Sequence, residues 1–189
     1  MRKKSLFAAL TLMICCALPA AAEPADNEAA LRAQLDSALW PGDIVRLADQ
    51  YRRQFPDGPA VAAAAAWRER AAESMRVLGR NDVRLHRAAF RPAEPAEDWA
   101  ADLRLAALGD RAAAIRLAHR ARLSEDGNAV AHRYVGWLQY ATQLGDERAS
   151  YELALHFRQQ AQPVLAARYE DLALSLGFQP PVALDNLRK

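Results

Sequence analysis

Apolar positions recur every three to four residues along most of this chain, and no stretch alternates strictly between apolar and polar. Residues at that period share one face of an α-helix, whereas a half-buried strand needs a period of two. A first helix is predicted over residues 25–38, ending at Trp40-Pro41-Gly42. Asp43 then reads as the cap of a helix with Ile44, Leu47, Ala48 and Tyr51 on one face. Phe55-Pro56-Asp57-Gly58-Pro59 breaks that helix, and Pro59 suits the first position of the next, where its missing N–H costs nothing. Val61, Trp67, Ala71, Met75 and Leu78 line this third helix, which Gly79 is expected to end in the left-handed conformation.

Residues 81–90 are weakly patterned. Arg91-Pro92-Ala93-Glu94-Pro95 reads as a linker, because Pro92 and Pro95 deny a continuous helix. Beyond it, helices are predicted near residues 97–108, 110–124, 128–144, 146–160, 164–176 and 181–187. Connections of a few residues make neighbouring helices antiparallel. The expectation is an all-α fold of about nine or ten helices, a right-handed array of antiparallel helical hairpins. Residues 23–91 form an N-terminal helical segment and residues 96–189 a repeat region.

The repeat lies in the punctuation. Leu108-Gly109-Asp110 and Leu144-Gly145-Asp146 recur 36 residues apart. In each, glycine supplies the left-handed turn that ends one helix, and aspartate accepts from the free N–H groups that open the next. Ala113 and Ala149 follow one turn later, then Leu117 and Leu153. Trp137-x-x-x-Ala141-x-x-x-Gly145 is echoed by Tyr169-x-x-x-Ala173-x-x-x-Gly177. An aromatic, a small residue and a terminator at one-turn spacing let a large ring pack where the next helix comes close.

With Gly145, Ala149 and Leu153, this pattern resembles the Sel-like repeat, a relative of the tetratricopeptide repeat. The chain departs from it at Gln159-Gln160-Ala161-Gln162-Pro163, where Sel-like repeats carry a glycine-rich connection. A tetratricopeptide register is also present in Gly109, Ala114 and Ala121, followed by Asn128, Ala131, Val135 and Gly136. The two registers assign opposite faces as concave. The resemblance covers residues 98–189 and is weak over 26–91. It implies a superhelical stack that binds a protein or peptide as adaptor, assembly factor or scaffold.

The N-terminus changes the compositional picture. Arg2-Lys3-Lys4, the apolar run from Leu6 to Leu18 and Ala20-Ala21-Ala22 form a signal peptide over residues 1–22, with the cut after Ala22. Its apolar run is short for a spanning helix, which needs about 20 residues. Export to a periplasm or beyond follows. Cys15 and Cys16 raise the alternative of a lipoprotein, but Ile14 and Cys15 stand where that signal normally has a small residue. The whole chain has 25 basic and 23 acidic residues, and cleavage removes three of the basic ones and both cysteines. A near-neutral, cysteine-free chain is no nucleic-acid binder held by broad charge, and it has no disulfide or thiolate site. The 43 alanines and the arginine excess are consistent with a GC-rich genome.

Candidate chemistry is sparse. No phosphate loop, dinucleotide fingerprint or Gly-x-Ser-x-Gly is present, so neither a cofactor nor enzymatic activity is expected. The histidines are His86, His119, His132 and His156, none spaced as a metal pair on one helix. His119 and His132 lie on neighbouring predicted helices within reach of each other, without a third ligand. Asp98 and Asp102 read as a solvated pair near a helix start. Arg116 and Arg120, one turn apart, with Arg133 on the next helix, are candidates to clamp a carboxylate. The competing reading has them pairing with Glu125 or Asp126 on a solvated face. Trp137 belongs to a core stripe with Val130, Tyr134, Ala141 and Leu144. Tyr140 falls off that stripe and is the candidate exposed contact. The partner expected is a protein or peptide of the cell envelope. Murein, reached as an enzyme accessory, and a secreted effector occluded by an immunity-type protein are the alternatives.

Overall fold

The structure is a computed structural model and describes residues 24–91, 97–123 and 127–179. Those residues are helical, with no strand among them. In chain order they form α1 (Pro24–Ser37), α2 (Pro41–Gln54), α3 (Val61–Leu78), a 3-10 turn (Arg87–Phe90), α4 (Glu97–Ala107), α5 (Arg111–Leu123), α6 (Gly127–Gln143), α7 (Glu147–Gln159) and α8 (Pro163–Ser175). None of the helices is long and apolar enough to cross a membrane. The expected signal peptide, the prolines of the expected linker, Glu125, Asp126 and the helix expected at 181–187 lie outside the described residues.

Helix boundaries follow local chemistry. Three helices end in the same turn. The Gly109 N–H donates to Ala106 O and the Asp110 N–H to Leu105 O; the same pair recurs at Gly145 and Asp146 and at Gly177 and Phe178. All three glycines have positive φ, at 81°, 89° and 98°. This is the Schellman geometry, in which a left-handed residue folds the chain back onto the orphan carbonyls. Asp110 Oδ1 then accepts from Ala113 N at 2.7 Å, and Asp146 Oδ1 from Arg148 N and Ala149 N at 3.0 and 2.9 Å. These are the caps the repeated Leu-Gly-Asp triplets lead one to expect.

Two expected caps differ. Pro41, not Asp43, opens α2: Trp40 is the cap residue, its carbonyl accepting from Asp43 N and Ile44 N. Pro41 occupies the first-turn position that tolerates proline, which leaves the Asp43 carboxylate to accept from Arg87 at 2.7 Å. Gly79 ends α3 with φ −78° and not in the left-handed region.

Helices pack mainly on their sequence neighbours, α2 on α3, α5 on α6 and α7 on α8, while α3 also reaches α6. The core runs from Leu35, Ile44 and Tyr51 through Leu103 and Leu117 to Trp137, Leu138 and Leu153. Phe90 sits at its centre, with ring centroids 5.1 Å from Trp40, 4.9 Å from Trp137 and 6.5 Å from Tyr140. The weakly patterned stretch before the linker thus supplies buried Val83, Leu85, Ala89 and Phe90. Arg104 of α4 ties the N-terminal helices on: its Nη1 donates to Leu35 O and Ala38 O, both at 2.8 Å, at the end of α1. Its guanidinium lies 4.9 Å over the Trp67 ring.

Candidate functional site

A cleft of about 960 Å³ opens where the connection after α3 meets the middle of α6, the end of α7 and the first turns of α8. Arg80, Asp82 and Arg84 line it from that connection. His132, Val135 and Gln139 come from α6, successive positions three and four apart that share one helix face. His156 and Phe157 come from α7, Gln160 from the cap that follows it, and Leu165, Arg168 and Tyr169 from α8.

Its floor is held by a hydrogen-bonded relay. The Arg84 N–H donates to Gln139 Oε1 at 2.9 Å, and Gln139 Nε2 lies 3.4 Å from the Tyr169 hydroxyl. Gly136 allows this approach, because a Cβ there would stand 2.7 Å from Arg84 O. Phe157 and Tyr169 stack at 5.4 Å and 11°. Burial pushes the Tyr169 hydroxyl pKa upward, so it stays protonated at neutral pH.

Asp82 accepts from Gln143 Nε2 at 2.9 Å and lies 3.4 Å from Arg80 and 3.5 Å from Arg168. One carboxylate therefore faces two guanidinium groups. Arg84 is exposed and has no ion pair among the described residues. Burial, and then the charge of Arg122, lowers the pKa of His156, keeping the ring neutral. The cleft thus presents guanidinium and amide donors beside an aromatic floor, a chemistry of recognition.

The residues singled out from sequence are placed elsewhere. Arg116 Nε and Nη2 donate to Asp102 Oδ1 at 2.9 and 2.6 Å, and Arg120 Nη1 stands 3.0 Å from Asp102 Oδ2. The short turn at Gly109 folds α5 back on α4 and brings both arginines over Asp102. The carboxylate they hold is the chain's own. Asp102 is accordingly buried, which corrects its reading as a solvated residue. Arg133, half-buried on α6, has no ion pair among the described residues and does not line the cleft.

Tyr140 is not an exposed contact. Its side chain is fully buried, its hydroxyl donates to Ala106 O at 2.8 Å, and burial raises its pKa to about 12. Trp137 is fully buried, as its stripe predicts. The reason Tyr140 joins it is that α6 is packed from several sides, by α5, α7 and α3.

The histidines do not group together. His119 Nε2 lies 3.0 Å from Glu152, which also accepts from the Tyr134 hydroxyl at 2.8 Å, whereas His132 faces the cleft. Among the described residues no three His, Cys, Asp or Glu side chains group as metal ligands. The sequence signal for the cleft is the pair of polar residues His132 and Gln139, which share one face of α6 with Val135. Its other walls come from elements that sequence spacing does not connect. No family model, curated protein or solved structure matches the chain.

Proposed function

We propose that this chain is a non-enzymatic, exported protein-interaction module, a right-handed array of helical hairpins that holds a segment of a cell-envelope protein or peptide. The observation that carries this reading is the cleft: a recess built from four separate elements, lined by three arginines and a stacked aromatic pair. Clefts of this kind, with a few directed polar groups over an apolar floor, are the usual form of a binding site. The repeat resemblance supports it, since the three glycine turns recur in the same geometry and helical arrays commonly bind peptides. The export reading rests on the charged, apolar and small-residue order of the first 22 residues, with cleavage after Ala22.

The test is affinity capture from the envelope of the exporting cell, with three baits. Wild type and a control, Arg53→Glu on the exposed side of α2, are expected to retain one protein partner; the double variant Arg84→Glu/Arg168→Glu is expected to lose it. Retention on purified murein sacculi without any protein partner would overturn the reading in favour of a murein-binding accessory.

A further inference from the structure

We infer that the cleft takes an acidic, extended peptide segment, an assignment that rests on the protein-interaction reading and narrows its ligand. Charge carries the argument. Arg80, Arg84 and Arg168 line the recess against a single carboxylate, Asp82. Asp82 is shared between Arg80 and Arg168 and further engaged by Gln143. A second and third carboxylate are what this lining lacks. A basic segment meets repulsion here, and a neutral one leaves the guanidinium donors of Arg84 without a charged acceptor.

Shape narrows the ligand further. Phe157 and Tyr169 stack on each other and leave no slot between them for a flat base, whereas single-stranded nucleic acid is held by rings that bases stack upon. The near-neutral chain also lacks the continuous basic track that a phosphate polymer follows. Gln160 and Gln162, both exposed, add amide donors and acceptors that a peptide backbone can use. The volume, about 960 Å³, lies at the upper end of the range for single-ligand pockets and suits a segment of a few residues. Arg84 is prepared for this role. Its N–H is bonded to Gln139 and its carbonyl abuts Gly136, so its side chain extends from a backbone already tied to α6, and binding has less of the chain to order.

The test pans a randomised octapeptide library on the chain comprising residues 23–189 and on its Arg84→Ala/Arg168→Ala variant. Enrichment of Asp and Glu is expected on the wild type. Measured by fluorescence anisotropy, an enriched peptide should bind the variant about tenfold more weakly or worse, and its Asn/Gln counterpart should lose as much on the wild type. Both arginines are exposed, so the variant should keep its melting temperature, separating lost binding from lost fold. Enrichment of neutral or basic peptides, or equal binding by the variant, overturns the assignment. If neutral peptides are enriched and still depend on the cleft arginines, the acidic ligand is wrong and the interaction module stands. If no peptide is enriched and envelope capture does not depend on the cleft, both fail.

Discussion

Gly136 of α6 lies directly against the carbonyl of Arg84. A Cβ at position 136 would stand 2.7 Å from that oxygen and 3.0 Å from Leu85 Cδ1. Backbone oxygen cannot rotate away as a side chain would, so Gly136→Ala must push the 84–85 segment off the helix. Overpacking of this kind costs about 1–3 kcal/mol, outweighing the gain of up to about 1 kcal/mol from alanine's better helix propensity. The melting temperature of Gly136→Ala should therefore fall, and the cleft should lose affinity for its ligand in parallel.

A fourth helix end has the Schellman geometry without a glycine. Ala161 has φ 53°, its N–H donates to Arg158 O, and the Gln162 N–H donates to Phe157 O. Left-handed backbone costs a residue with a Cβ about 1–2 kcal/mol. Ala161→Gly should therefore stabilise the chain by about 0.5–1 kcal/mol once glycine's larger unfolded-state entropy is deducted. Gly145→Ala, where φ is 89° and nothing crowds the added Cβ, should destabilise by a similar amount through strain alone. Paired denaturant titrations check both signs. Equal midpoints for the two variants would show that turn conformation does not limit stability here.

Position 161 also shows where sequence and structure part. The three glycines announced their turns because few other residues adopt positive φ readily, and the capping aspartates followed from their place after them. Ala161 announced nothing, since the tertiary fit of α7 on α8 imposes a conformation its side chain disfavours. Phe90 was equally silent: a four-residue turn has no periodicity, yet it fills the space between Trp40 and Trp137. Tyr140 lies off the apolar stripe and is buried all the same, because α6 is packed on more than one face. Arg116 and Arg120 meet on one carboxylate, Asp102, that lies across a helical hairpin where one-turn spacing on α5 does not point. The cleft was least legible, being assembled from elements some 90 residues apart in the chain.

Tyr140 and Trp137 should separate by magnitude. Both side chains are fully buried, but Tyr140→Phe keeps the ring and deletes only the hydroxyl, with its contact to Ser74 and the bond it donates to Ala106 O. That bond is worth about 0.5–1.5 kcal/mol net. Trp137→Ala empties a site lined by Phe90 and Tyr140, and core truncations of this size cost about 3–5 kcal/mol. Chemical denaturation should rank Trp137→Ala far below Tyr140→Phe. Similar midpoints would contradict the packing of α6.

Arg104 should act as a docking residue for α1. Replacing it with alanine removes both donors from Leu35 O and Ala38 O and the contact with Trp67. Hydrogen bonds from a charged group contribute about 1.5–3 kcal/mol, so Arg104→Ala should melt earlier and expose α1 to protease. Arg104→Lys should recover only part of the loss, because an ammonium can donate to the carbonyls but lacks the planar guanidinium that lies over the Trp67 ring. Full recovery by lysine would reduce the role of Arg104 to charge.

His156 predicts how stability depends on pH. Burial, then Arg122, lowers its pKa from the ordinary value of 6.5, and Tyr134 and Phe157 pack their rings against it. The folded chain therefore resists a proton that the unfolded chain accepts. Above about pH 6.5 both states are neutral at this position, and its contribution to stability is whole. As the pH falls from there towards the lowered folded pKa, the unfolded state is favoured progressively, and below the folded pKa the loss is complete. Wild type should thus lose more melting temperature than His156→Gln between about pH 7.5 and about pH 5.5, with the two curves parallel above that interval. The variant will be less stable throughout if it loses ring contacts, but that offset does not change with pH. The difference in slope is the diagnostic, and parallel curves through the acid range would place the titration on other groups.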